Sequence, residues 1–199
     1  IELSVKFSPP FANTFSVRRH FKTNYMKILK FTFLLTLIIT LISCGTSHNY
    51  TNNALNKNYY VNKTIYFKLN PKSQNQINFT GMVGTIFGGI VQPDVRRTFE
   101  KAISELAEET KLNLKYINTS NEIFGKDNLI FDTEISEINW HFGFSVATLK
   151  TVTNFKEVNT NKEIKTIGIR KSGGGDEMNN LKKSLKDATF NFLKEFEKQ

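Results

Sequence analysis

The sequence has one cysteine, Cys44, in 199 residues, so no disulfide can close within the chain. Of its three histidines, His20 and His48 fall outside the stretch that patterns as a folded domain, which leaves only His141 inside it. A domain with one histidine and no cysteine excludes the usual zinc ligand sets, and no metal or cofactor is expected. A membrane-spanning run is also lacking. The apolar run Phe31–Ile42 has twelve residues, and as a helix it rises only about 18 Å against a bilayer core of about 30 Å. Dense runs of charge are absent as well. Six of the 27 basic and one of the 18 acidic side chains lie in residues 1–43, leaving 21 and 17 from Cys44 onward. Most of the formal +9 charge therefore belongs to the leader, and the rest reads as a solvated surface rather than a nucleic-acid face. Finally, the glycine-rich stretch GMVGTIFGGI (81–90) has no Lys-Ser/Thr after its glycines, so it is no phosphate-cradling loop.

What is present begins with an address. From Met26 the chain reads MKILKFTFLLTLIITLISCG, with Lys27 and Lys30 ahead of the apolar run. That is the layout of a secretory signal. It ends in Leu41-Ile42-Ser43-Cys44-Gly45, which resembles the bacterial lipobox. The resemblance implies that the Cys44 sulfur is diacylated, that the signal is cut before it, and that the new amino terminus is acylated too. A thiolate is the strongest nucleophile a side chain offers for such a transfer. Two or more acyl chains anchor stably where one binds only marginally. By the same resemblance, Gly45 in place of an aspartate implies the outer membrane. The missing acidic run after Cys44 implies a domain facing the periplasm.

Four segments follow. Residues 1–25 are expected to be translated upstream sequence, since the signal restarts cleanly at Met26, and 26–43 is the signal peptide. Residues 44–60, asparagine-rich and without period, are expected to form a flexible tether. Residues 61–199 are expected to form a single α+β domain.

Within that domain Thr64–Leu69 reads as a strand closed by Asn70-Pro71. Asp94 is an N-cap for a helix reaching Thr110, with Val95, Phe99, Ala102, Ile103 and Leu106 at helical spacing. Strands are expected over Leu112–Ile117, Leu129–Phe142, Phe144–Lys156 and Glu163–Arg170. In the second of these the apolar phase shifts from Phe131, Thr133 and Ile135 to Ile138, Trp140 and Phe142, predicting a bulge near Ser136-Glu137. A last helix from about Asp176 carries Met178, Leu181, Leu185, Ala188, Phe192 and Phe196 on one stripe. The expected fold is α+β: two amphipathic helices on a mostly antiparallel sheet of about four to five strands. This order behind a lipobox resembles small envelope lipoproteins of the YajG-like and lipopolysaccharide-assembly types. It implies a binding or scaffolding role.

No catalytic residue is expected, and the chain reads as a non-enzyme. His141 lacks companions, and beside Trp140 and Phe142 it reads as a surface or aromatic-cluster residue. Asp132 and Glu134 share a strand face at i, i+2, the arrangement that could flank a sugar bond. Such alternation is also that of any solvated strand. Trp140, Phe142 and Phe144 are the candidate contact residues for glycan, peptidoglycan, lipid or a partner, with core packing as the alternative. The 81–90 stretch is either a core-packed loop or a contact loop. Gly173–Gly175 opens a helix but is followed by Asp176 and Glu177, which repel an anion, so it reads as a connection. The expected partners are a membrane, through the lipid on Cys44, and an envelope protein.

Overall fold

The computed structural model describes residues 30–31, 48–51, 55–81, 91–119 and 127–198. Cys44 and residues 82–90 lie outside them. The chain divides into residues 1–43 and 44–199, and the fold below is that of the second unit. Its elements run α1 (Lys57–Tyr60), β1 (Thr64–Leu69), β2 (Asn78–Gly81), α2 (Val95–Thr110), β3 (Leu114–Ile117), β4 (Asn128–Phe142), β5 (Ala147–Glu157), β6 (Glu163–Ser172) and α3 (Glu177–Phe196).

The fold is α+β, with an open mixed sheet of six strands in the order β3-β1-β4-β5-β6 and β2 also paired to β4. The long ladders, β4–β5 and β5–β6, are antiparallel. The short strands join in parallel: β1 lies between β3 and β4, and β2 adds to the far half of β4. Short parallel strands leave little period-2 signal, which is why the sheet is wider and more mixed than the sequence pattern suggests.

β1 and β2 act as one interrupted strand beside β4. β1 pairs Thr64–Leu69 with Asn128–Thr133, and β2 pairs Asn78–Gly81 with Asn139–Phe142. Between them the chain leaves the ladder, and backbone and side-chain groups of the connecting segment bridge the gap. Asn70 N–H donates to Thr133 O (2.7 Å), and the Ser73 hydroxyl accepts from Ile135 N–H (3.1 Å). On the other edge of β4 the register against β5 shifts between Ile135 and Glu137, the bulge that the change of apolar phase implies.

Both long helices cover one face. Asp94 caps α2 by accepting from Arg97 N–H (3.0 Å), and Lys111 ends it in the left-handed region at φ 61°. Asp176 caps α3 through Asn179 N–H (2.7 Å). Of the expected α3 stripe, Leu181, Leu185, Ala188, Phe192 and Phe196 are buried, while Met178 at the helix start is exposed. The centre of the core is aromatic. Phe155 stacks on Phe192 at 4.3 Å, and Phe131 meets Phe192 edge-on at 4.7 Å. The approach of α3 to β6 is set by Gly168, where a Cβ would fall 1.9 Å from Ser184 O. The Ser184 hydroxyl uses the gap to donate to Gly168 O (3.0 Å).

α3 also guards the edge of the sheet. Asp187 Oδ2 accepts from Ile169 N–H (2.8 Å), and Asn191 Nδ2 donates to Ile167 O (3.0 Å). Two outward backbone groups of β6 are thus occupied by side chains, which blunts strand addition there. Among the described residues no helix is long and apolar enough to cross a membrane.

Candidate functional site

The stretch expected to be a free tether is packed wherever it is described. His48, Tyr50, Leu55 and Tyr60 are all buried. For residues 48–51 and 55–60 this corrects the reading as a flexible tether: composition is polar overall, but each aromatic there has a partner far along the chain. Asn49 turns the backbone by accepting from Thr51 N–H (3.0 Å). Tyr50 then lies flat on Phe190 of α3, with centroids 4.2 Å apart and planes 22° apart. Further on, Asn56 N–H donates to Glu197 (2.8 Å), the Tyr60 hydroxyl donates to Leu193 O (2.6 Å), and Tyr59 meets Phe196 edge-on. The described residues 48–51 and 55–60 pack as a strap along the outer side of α3.

Under the strap sits a polar cluster contributed by both helices. The Lys186 side chain is 1% exposed and donates to Glu105 (2.7 Å) and Glu109 (2.8 Å) of α2. Lys182 adds a second cation to Glu105 at 2.6 Å. Tyr50 closes the cluster from outside. Its N–H donates to Glu109 Oε2 (2.8 Å), its ring lies 5.8 Å from the Lys186 ammonium, and its hydroxyl donates to Asp187 Oδ1 (2.5 Å). His48 Nδ1 stands 3.3 Å from the Tyr50 hydroxyl and 4.0 Å from Asp187 Oδ1. Since the Tyr50 proton goes to Asp187, the network assigns the His48 proton to Nδ1, donating to the tyrosine oxygen.

The electrostatics follow from this packing. Burial, followed by the hydrogen bond to Asp187, pushes the Tyr50 phenol far up, so it keeps its proton. Burial brings His48 down to about 4; Asp187 opposes this, and Arg170, Lys186 and Lys183 reinforce it. For Glu105, burial acts against ionisation, but the hydrogen bonds and charges of Lys182 and Lys186 outweigh it and hold the carboxyl below its usual range. The ammonium of Lys186 is enclosed by two carboxylates and a ring face. It clamps α3 to α2.

The structure separates the residues singled out by sequence. Trp140 and Phe142 are 3% and 8% exposed, whereas Phe144 is 96% exposed in the turn between β4 and β5. They form no common contact surface, which corrects the aromatic-surface expectation. Trp140 and Phe142 pack with Phe79 of β2 on the core side, at 6.0 and 6.3 Å. Period 2 correctly placed them together; Phe144 has the same parity but follows the end of β4, where the alternation no longer applies. Cys44 lies outside the described residues, as does all of the 81–90 stretch except Gly81.

His141 is on the open face of the sheet, its Nδ1 3.2 Å from the Thr80 hydroxyl. Asp132 shares that face and accepts from Asn70 Nδ2 (3.0 Å). Nine residues of strand put His141 roughly 25–30 Å from Asp132, so the two do not work together. The clefts beside Asn70–Asn75 and beside Lys57–Thr64 contain none of His141, Asp132 and Glu134. Among the described residues no group of three acidic, histidine or cysteine side chains could hold a metal. The polar groups near Gly173–Gly175 are engaged: Asn180 Nδ2 donates to Asp176 O (3.0 Å) as the Asp176 carboxylate caps the helix.

No family model and no curated protein matches the chain. Three solved structures have a similar course. One is a Xanthomonas campestris protein of the DUF330 family, with a TM-score of 0.41 and 10% identity, covering 67% of this chain and 83% of that one. Another is a putative neuraminyllactose-binding hemagglutinin homolog from Helicobacter pylori, with a TM-score of 0.31 and 10% identity over 67% of this chain and 83% of that one. The third is a hypothetical protein from Chlamydia trachomatis, with a TM-score of 0.30 and 10% identity over 67% of this chain and 93% of that one.

Proposed function

We propose that the chain is a lipid-anchored lipoprotein of the bacterial cell envelope, acting as a non-enzymatic accessory or scaffolding component at the outer membrane. The observation that carries this reading is the run Met26–Gly45. It joins a basic start, a twelve-residue apolar run and Leu-Ile-Ser-Cys-Gly around the single cysteine of the sequence. The non-enzymatic part is supported by the burial of Lys186 in a clamp and the wide separation of His141 from Asp132. Glycan, peptidoglycan or lipid binding through an aromatic surface is the weaker reading, because it retains Phe144 alone of its three residues.

The test is expression of the full chain in a Gram-negative host, with mass spectrometry of the N-terminal peptide. Acylated Cys44 as the first residue is expected. Cys44→Ser should release the protein from the membrane fraction, since each buried acyl methylene contributes about 0.8 kcal/mol. An unmodified Cys44 still joined to Ser43 would overturn the anchor. For the accessory role, crosslinking in the envelope followed by purification in detergent should recover specific envelope proteins. Recovery of the chain alone would count against it.

A further inference from the structure

The open face of the sheet carries its charges in columns. Alternation turns Asp132, Glu134 and, after the bulge, Glu137 of β4 away from the helices, and the ladder sets Lys150 and Lys156 of β5 beside them on the same face. β6 continues that face with Lys165, Ile167 and Ile169. One column is acidic and the next is basic. Little of this charge is engaged within the chain. Lys156 lies directly across the ladder from Asp132, yet the Asp132 carboxylate takes its hydrogen bond from Asn70 (3.0 Å). Glu137 and Lys150 pair at 3.8 Å with their side chains 47% and 43% exposed, a geometry that contributes little in water. Among the described residues Glu134, Lys156 and Lys165 have no ion pair.

Two adjacent columns of opposite sign are self-complementary. Half a turn about an axis parallel to the strands, between β4 and β5, lays β4 of one copy over β5 of another. Asp132 then faces the other copy's Lys156, and Glu137 stands beside the other copy's Lys150, each contact being made twice. An axis across the strands would set each column against itself, acid on acid and base on base. The charge pattern therefore selects the first axis. It also keeps the facing strands within about 30° of each other, the aligned packing of sheets. The face is large enough. Strands about 4.8 Å apart, with a β5 of 11 residues, make the region from β1 to β6 roughly 19 Å by 35 Å, or on the order of 600 Å² per copy. Doubled, that reaches the lower end of specific interfaces. Apolar area lies within it, since Ile167 and Ile169 are 45% and 40% exposed. The edge at β6 is a poorer alternative, because Asp187 and Asn191 already occupy its outward groups.

We propose that two copies of this chain associate through the open face of the sheet, about a twofold axis running along the strands between β4 and β5. The acidic column of each copy meets the basic column of the other. This goes beyond the accessory role and does not require acylation of Cys44, so it stands or falls apart from the anchor.

The experiment measures self-association of the full chain in detergent by sedimentation equilibrium. The unaltered chain should dimerise, and raising the salt from about 0.05 to 0.5 M should weaken the dimer about tenfold. Glu134→Lys with Glu137→Lys makes the β4 column basic, and Lys150→Glu with Lys156→Glu makes the β5 column acidic. Each double variant alone should lose the dimer. An equal mixture of the two should restore it, because a basic β4 then meets an acidic β5 while the unaltered columns still meet each other. Contacts within one chain are the same before and after mixing, so only an interface between copies gives this rescue. Thermal unfolding is read on each variant. If either double variant melts early, Glu134→Lys mixed with Lys156→Glu reads the same rescue. A monomeric unaltered chain, a dimer indifferent to salt, a dimer kept by either variant alone, or a mixture of folded variants that stays monomeric would each overturn the proposal.

Discussion

Asp187 holds Tyr50 with one carboxylate oxygen and the edge of the sheet with the other. Oδ1 accepts the Tyr50 hydroxyl at 2.5 Å, and Oδ2 accepts Ile169 N–H at 2.8 Å. A residue at the start of the folded unit is thereby tied, through α3, to the last strand. Tyr50 and Asp187 are 137 residues apart in the chain. The strap closes a long loop and so depends on strong individual contacts to offset the entropy of closure.

Tyr50→Ala removes the stack on Phe190, the hydroxyl bond and the cover over Lys186 together. It should lower the stability of the domain by about 2–4 kcal/mol. Tyr50→Phe keeps the ring and loses only the hydroxyl, and should cost about 1 kcal/mol. Urea unfolding of both variants measures this. A Tyr50→Ala midpoint equal to that of the unaltered protein would show that the strap contributes nothing.

Lys186→Met leaves Glu105 and Glu109 facing each other in a partly buried site without their shared cation. Breaking a buried ionic cluster on one side typically costs about 3–5 kcal/mol. Adding Glu105→Gln and Glu109→Gln should recover most of the loss, because the uncompensated charges are then gone. If the triple variant is no more stable than Lys186→Met in urea unfolding, lost packing rather than charge is the cause.

Gly168→Ala tests how α3 is seated. The added methyl would meet Ser184 O at 1.9 Å and Ala188 N at 2.7 Å, both backbone atoms of a packed helix. The helix must lift from β5 and β6, at a cost above about 3 kcal/mol. Thermal unfolding reads the effect. Gly174→Ala is its control, since nothing lies within 4 Å of a Cβ there.

The contrast between these sites explains what was readable in the sequence. Val95, Phe99, Ala102, Ile103 and Leu106 repeat at helical spacing behind the Asp94 cap, so α2 is legible from local pattern alone. The bulge at Ser136 is legible for the same reason, because a change of phase within one strand is a local signal. Tyr50 carries no such signal. It stands alone in an asparagine-rich stretch, and its partners lie 59 and 137 residues away. β2 is unreadable too: Asn-Phe-Thr-Gly is only four residues, and its partners Asn139–Phe142 lie far along the chain. Trp140 and Phe142 show a third case. Alternation put them on one face, but only the position of the helices decides that this face is the core.

Acid should loosen the strap before it unfolds the domain. His48 is held at about 4 in the fold against 6.5 for the free side chain, first by burial and then by Arg170, Lys186 and Lys183, with Asp187 opposing. Its folded value is the lower one, so the neutral form is the one the fold accommodates. The stability it supports is fully present above 6.5 and is lost as pH falls from there through 4. Glu105 is also held below its usual 4.5, so its contribution is present above 4.5 and is lost as pH falls further. The two groups therefore act in sequence. Amide hydrogen exchange at Tyr50 and Thr51 should speed up between pH 6.5 and 4 relative to the amides of α3 near Leu185, after correction for the intrinsic pH dependence of exchange. Substitution His48→Gln keeps a polar group beside the Tyr50 hydroxyl but cannot take up a proton. It should flatten the dependence above pH 4.5 and leave the later, Glu105-linked loss in place. An unchanged pH profile in His48→Gln would assign the acid response to the carboxylates alone.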